Sequence, residues 1–230
     1  MKIAVVVFPG TNCEHDIAHA LALAGGEPDL VWHTDDDLSG AEGIVLPGGF
    51  AHGDYLRTGA IARFSPVMSE VERLATQGVP TLGICNGFQI LCEAGLLPGA
   101  LVANMGLKFI CKPVHLRVES TKSVLTSAAA VGQVLQIPLN SYEGNFVADD
   151  VNAIEDEGLV VLRYSDTEGR IRESANPNGS TNAIACVSNA GGNVVGLMPH
   201  PERASEQILG SADGMVLVES FVESVRSVRV

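Results

Sequence analysis

The segment Val79-Pro80-Thr81-Leu82-Gly83-Ile84-Cys85-Asn86-Gly87-Phe88-Gln89-Ile90-Leu91 limits the folds open to this chain more than any other. An apolar run ends abruptly in Gly83-Ile84-Cys85-Asn86-Gly87, and a helical pattern follows. This is the layout of a strand-to-helix elbow that presents a nucleophile, with sulfur where serine is commoner. The backbone must bend tightly there, so small residues flank the reactive one. Such a bend puts the side chain at the carboxyl edge of a sheet and at the positive end of the next helix, an environment that favours a thiolate. An arbitrary cysteine is more often a buried structural residue. Here the bracketing glycines, with Gln89 one helical turn on, point to chemistry.

A chain of 230 residues is long enough for one large α/β domain with a substantial core. With 46% hydrophobic and 18% charged residues it reads as globular, not disordered. The formal net charge of −13 argues against a nucleic-acid partner, because phosphate binding needs concentrated Lys and Arg. Lys2, Lys108, Lys112 and Lys122 are the only lysines, and they form no run. Cys13, Cys85, Cys92, Cys111 and Cys186 include no C-x-x-C pair, which leaves no zinc ribbon or thioredoxin-type motif. The apolar stretch from Ile3 to Phe8 passes straight into Pro9-Gly10-Thr11-Asn12 without a small-residue cleavage pattern, and reads as a buried first strand. No segment reaches the roughly 18 apolar residues of a membrane span. The expectation is a soluble, cytoplasmic, reduced protein with no membrane partner.

Strand-like and helical segments alternate through the first half. The pattern predicts strands at Ile3 to Phe8, Leu30 to Trp32, Gly43 to Pro47 and the run that delivers Cys85, with helices over about Glu14 to Gly25 and Gly59 to Gln77. This alternation implies a mainly parallel, doubly wound sheet, with its ligand site outside the carboxyl ends of the strands. Phe8-Pro9-Gly10, Pro47-Gly48-Gly49 and Cys85 should converge there. In the second half, Lys108 to Glu119, Val134 to Pro138, Gly158 to Tyr164, Ala183 to Ser188 and Asn193 to Leu197 read as shorter strands with hairpin turns between them. The sheet should therefore be mixed, with extra antiparallel strands. A last helix is predicted over roughly Ser211 to Val225. No repeat, low-complexity tract or linker interrupts this, so residues 1–230 read as one domain.

A cysteine nucleophile needs a base that holds the thiolate and moves a proton to the leaving group. Among His15, His19, His33, His52, His115 and His200, the last stands out. It follows a strand and is bracketed by Pro199 and Pro201, which restrict where the imidazole points. Glu202, two residues on, can accept the second ring N–H and set the tautomer, completing a Cys85–His200–Glu202 triad. Gly48 and Gly49, just past a buried strand, allow a backbone N–H to face a ligand closely. The Gly49 N–H and the Asn86 N–H would form a two-donor oxyanion hole. The doublet is no dinucleotide fingerprint, since the glycine spacing is wrong.

Gly83-Ile84-Cys85-Asn86-Gly87-Phe88-Gln89, Pro47-Gly48-Gly49-Phe50 and His200-Pro201-Glu202 together resemble the class I, triad-type glutamine amidotransferases. Further blocks resemble, more narrowly, the separate glutaminase subunits of phosphoribosylformylglycinamidine synthases. They are Phe8 to Cys13, Pro47 to Arg57, Gly95 to Leu101, Asn176 to Ser180 and Met198 to Ala204. The resemblance implies a flavodoxin-like fold and hydrolysis of L-glutamine through a Cys85 thioester. Gly48, Gly49, Asn86 and Gln89 would hold the oxyanion and the glutamine. It also implies delivery of ammonia to a large synthetase subunit in purine synthesis, with a small accessory subunit as a further partner. The resemblance also implies that ATP and Mg belong to that synthetase; this chain has no G-x-x-x-x-G-K-[ST] motif, and no cofactor or metal of its own is expected. One departure is that Ser141-Tyr142-Glu143-Gly144 stands where such subunits carry a His-Gly-Glu-Gly-like segment; Tyr142 is expected to fill the space.

Other constellations read more simply. Cys13, Glu14, His15, Asp16 and His19 have partial metal-ligand spacing, but no H-e-x-x-h motif completes a set, and a polar helix start near the site entrance is the better reading. His52, Asp54 and Arg57 could gate the pocket, meet the synthetase or be an ordinary polar loop. Asp35-Asp36-Asp37 reads as a solvated turn, and Cys92, Cys111 and Cys186 as core thiols. Two rival functions are an amidotransferase subunit serving another synthetase and a non-catalytic regulatory subunit on the same fold.

Overall fold

In the computed structural model, which describes residues 1–227, short runs of branched apolar residues build the centre of one sheet. Strands β1 (Lys2–Val7), β3 (Gly43–Leu46), β4 (Thr81–Ile84) and β11 (Val194–Leu197) are buried along nearly their whole length. Such strands read as continuous hydrophobic runs because helices cover both faces of a parallel sheet. β2 (Glu27–Trp32) is an edge strand and correspondingly half exposed. The order across the nine-stranded sheet is β2-β1-β3-β4-β11-β10-β9-β6-β7. The first five are parallel to one another. β10 (Ile184–Ser188), β9 (Val160–Ser165), β6 (Ile110–Val118) and β7 (Val134–Ser141) then join antiparallel, so only β10 and β6 run against the rest. The mixed, mainly parallel sheet expected from the sequence is present.

Helices α1 (Glu14–Leu23), α2 (Pro66–Thr76), α3 (Asn86–Glu93) and α5 (Gly214–Ser227) flank it. α2 buries Val67, Met68, Val71, Leu74 and Ala75, the stripe that a helical period of 3.6 presents to a core. It starts seven residues later than the pattern predicts. Ser65 precedes a proline and is extended at ψ 143°, which excludes a helical residue there, and Pro66 then opens the helix. Residues 59–61 form a turn and Ala62–Phe64 a single turn of 3-10 helix instead. Three small elements escaped the sequence reading: β5 (Ala100–Val102) and β8 (Asn145–Val147), which pair as a separate two-stranded sheet, and α4 (Val151–Asp156). Each is too short for periodicity to register, although Asp150 caps α4 by accepting from the Ala153 N–H at 3.0 Å.

One reading of the cysteines needs correction. Cys186 is fully buried, but Cys111 is exposed. β9 covers β6 only from His115 onward, so the first half of β6, including Cys111, has just β7 beside it. No helix among the described residues is long and apolar enough to cross a membrane.

Candidate active site

The carboxyl ends of β1, β3, β4, β11 and β7 point to one edge of the sheet, and the loops leaving them enclose a cavity of about 330 Å³. Cys85 links β4 to α3 with φ 51° and ψ −104°, a conformation foreign to an ordinary L-residue. Glycine on either side makes this bend possible. A Cβ on Gly87 would stand 1.9 Å from the Leu46 carbonyl oxygen, and one on Gly83 would stand 2.7 Å from Gly87 backbone. Hydrogen bonds then clamp the elbow: Cys85 N–H donates to Leu197 O at 2.8 Å and Gly87 N–H to Pro47 O at 3.1 Å. The Cys85 sulfur is 7% exposed as part of its residue, lines the cavity and lies 3.5 Å from the carbonyl oxygen of Asn140.

His200 arrives from the end of β11 and lines the same cavity. Its backbone N–H donates to Pro138 O at 2.8 Å, and its Nδ1 lies 2.6 Å from Glu202 Oε1. Both residues are 2% exposed. With Nδ1 committed to Glu202, the other ring nitrogen, Nε2, is buried with no hydrogen-bond partner among the described residues. Burial works against a charged imidazole, but Glu202, then the sulfurs of Cys85 and Cys13, outweigh it and hold His200 well above its ordinary value. Gly48 makes room for the ring, since a Cβ there would come within 2.7 Å of His200 Cε1.

Gly49 pairs with Thr11 in an antiparallel bridge whose hydrogen bonds come from its neighbours: Phe50 N–H to Gly10 O at 2.8 Å and Asn12 N–H to Gly48 O at 3.2 Å. In such a pair the Gly49 N–H faces away from the Thr11 segment. Asn86 is the first residue of α3, where a helix has no internal acceptor for its N–H. The Asn86 side chain accepts from Ala51 N–H and donates to Gln89 Oε1, both at 3.0 Å. Gln89 donates in turn to the Glu143 carbonyl at 2.6 Å. Gln89 thus lines the cavity with its amide already bonded at both ends.

Several cavity residues carry no assigned chemistry in the sequence, although the Cys13 segment is expected near the site entrance and Asp54 is weighed as a gate. Cys13 turns inward; its sulfur donates to Asn12 Oδ1 at 3.2 Å and accepts from Arg203 Nη2 at 3.3 Å. Cys13, His200 and Glu202 donor atoms lie within 4.8 Å of one another, the three-donor group among the described residues close enough to share an ion. The helical set weighed from sequence is not assembled, because His19 Nε2 pairs with Glu206 at 2.9 Å and His15 with Glu14 at 3.8 Å. Asp54 and Glu143 form an acidic wall, with the Thr58 hydroxyl donating to Glu143. Burial, reinforced by Glu143, pushes Asp54 up to about 6. Arg57 faces outward and grips Glu93 through two hydrogen bonds of 2.6 Å. The available signal for Cys13 was its place in the loop after β1, which a parallel sheet must bring to this edge.

Comparison with known proteins places this geometry in context. The profile of the CobB/CobQ-like glutamine amidotransferase domain matches residues 1–214. A protein of Koribacter versatilis named "Phosphoribosylformylglycinamidine synthase subunit PurQ" is 52% identical over 225 residues, covering 96% of this chain and 97% of that relative. A protein of the same name from Rubrobacter xylanophilus is 51% identical over 228 residues, covering 98% of this chain and 100% of the relative. Among solved structures, a chain of "Structure of PurLQS from Thermotoga maritima" superposes with a TM-score of 0.86 at 44% identity, covering 96% of this chain and 97% of that one.

Proposed function

The chain belongs to the CobB/CobQ-like glutamine amidotransferase family, and we propose that it is the glutaminase subunit of a phosphoribosylformylglycinamidine synthase, all 230 residues forming one amidotransferase domain. The observation that carries the mechanism is the free, buried Nε2 of His200, oriented through Nδ1 by Glu202, in the cavity that Cys85 lines. Cys85 sulfur attacks the side-chain carboxamide carbon of L-glutamine, and the carbonyl oxygen becomes an oxyanion facing the Gly49 and Asn86 N–H groups. Each such donor lowers the barrier by about 2.7–4 kcal/mol. His200, held protonated by Glu202, gives its proton to the departing nitrogen, so the C–N bond breaks and ammonia leaves. A γ-glutamyl thioester remains on Cys85. His200, now neutral, takes a proton from water; the hydroxide attacks the thioester, releasing glutamate and restoring the sulfur.

Ammonia passes to a large synthetase subunit, which spends ATP with Mg²⁺ to convert formylglycinamide ribonucleotide to the amidine; a small accessory subunit completes the assembly. Exposed apolar side chains support a docked partner: Phe50 and Phe109 line the cavity and are exposed, and Tyr55 and Leu56, which follow the lining residue Asp54 in sequence, are 74% and 90% exposed. Exposed apolar groups gathered round one opening are the mark of an interaction face. Such a complex works in the cytoplasm, where purine precursors are made. Incubating the complex with an electrophilic glutamine analogue and mapping the adduct by mass spectrometry tests the assignment. One adduct on Cys85, blocked by excess glutamine, is expected; an unmodified Cys85 would refute it.

A further inference from the structure

The turn at the end of β7 is held from behind by asparagines that stand outside the cavity. Asn104, in the loop between β5 and β6, and Asn178 are both buried, and neither is among the residues that line the cavity. The Asn104 amide is committed entirely to backbone. Its Nδ2 donates to Ser141 O at 2.8 Å and to Lys108 O at 3.0 Å, and its Oδ1 accepts from the Gly144 N–H at 3.1 Å. The Asn104 backbone N–H adds a bond to Tyr142 O at 2.9 Å. Ser141, Tyr142 and Gly144 are thus all tied to one residue. Asn178 reinforces the grip: its Nδ2 donates to Gly144 O at 2.6 Å and to the Tyr164 hydroxyl at 3.2 Å. Its carbonyl accepts from the N–H of Met105, the residue after Asn104, at 2.9 Å. An amide supplies two donors and an acceptor together, a set that no hydroxyl, carboxylate or apolar side chain reproduces. The catalytic partners take their bearings from the same strand end. Pro138 O accepts from the His200 backbone N–H at 2.8 Å, and Asn140 O is the acceptor 3.5 Å from the Cys85 sulfur.

We propose that Asn104 is a positioning residue for the nucleophile: by gripping Ser141, Tyr142 and Gly144 it aims the Asn140 carbonyl at Cys85 and holds the sulfur in the rotamer that faces the cavity. The inference rests on the glutaminase reading. Successive carbonyls of an extended strand point to opposite edges. Fixing Ser141 O toward Asn104 therefore turns Asn140 O the other way, toward the thiol. A thiol is a weak donor on a side chain free to rotate, so an acceptor fixed in place selects one rotamer for it. With Asn104 truncated, the turn loses its hold on Ser141 O, and the Asn140 carbonyl loses its aim.

The test measures glutamate release by Asn104→Ala and Asn104→Asp in the complex reconstituted with its synthetase subunits. Reactive sites are first counted by stoichiometric labelling of Cys85 with the diazoketone analogue of glutamine. In Asn104→Ala, kcat per labelled site should fall about tenfold to a hundredfold, as it does when a reacting group is misplaced, with the KM for glutamine within a few-fold. A merely structural role would reduce the number of labelled sites and leave the kcat of each at the wild-type value. Asn104→Asp keeps the shape and the acceptor for the Gly144 N–H but lacks the amide's pair of donors, so its kcat per site should fall as well. It carries the comparison if the alanine variant does not fold. Wild-type kcat per labelled site in a folded variant overturns the proposal, as does a loss confined to KM. A wild-type complex that takes up no label at Cys85 overturns the glutaminase reading instead.

Discussion

At Gly87 one methyl group would lie 1.9 Å from the Leu46 carbonyl oxygen, so the approach of α3 to β3 depends on the lack of a side chain there. Gly87→Ala is expected to destabilise the protein by about 1–3 kcal/mol, as overpacking does, and to cut glutamine-dependent activity more than tenfold by displacing Cys85. Gly106→Ala is the control, since a Cβ at that glycine meets nothing within 4 Å. Thermal unfolding and glutamate release measure both. Asp54 makes the opposite case. Its folded-state value of about 6 lies above the ordinary 3.8, so the folded protein binds more protons between those limits and loses stability as pH rises through them. Asp54→Asn removes that penalty. The variant should melt above the wild type at pH 7.5, by about 2–4 °C for each kcal/mol recovered, with the difference fading toward pH 4. A wild type that is the more stable at pH 7.5 would show that Asp54 is not strained by its surroundings.

Among the elements, α5 acts on the site without lining it. A Cβ on Gly214, at the start of that helix, would come within 2.1 Å of the Pro201 carbonyl oxygen in the turn that carries His200 and Glu202. Gly214→Ala should therefore lower kcat about tenfold with little change in the KM for glutamine, because it shifts the base and not the substrate contacts. Unchanged kcat would mean that the turn absorbs the displacement elsewhere. The same elements mark what the sequence makes legible. The elbow at Cys85 and the proline-bracketed His200 are local patterns of glycine, proline and apolar runs, and local patterns can be read along a chain. Cys13, Asp54 and Glu143 come together only when three loops meet at the sheet edge, and no spacing encodes that meeting. β5, β8 and α4 were missed for another reason, since three to six residues hold less than two periods of any pattern.

Across the molecule, a sheet of five parallel strands extended by four antiparallel ones brings five strand ends to a single edge. That arrangement explains why residues as far apart in sequence as Cys13 and Arg203 share a wall of the cavity. The exposed Tyr55 and Leu56 follow Asp54 of the cavity lining in sequence, which fits a subunit whose product is handed on to a partner. Hydrolysis and synthesis then occupy different chains and can be separated by substitution. In the assembled complex, Cys85→Ala should abolish formylglycinamidine ribonucleotide formation from glutamine while formation from added ammonium salt proceeds at the wild-type rate. Equal survival of both activities in that variant would contradict the assignment of Cys85 as the sulfur that breaks the amide bond.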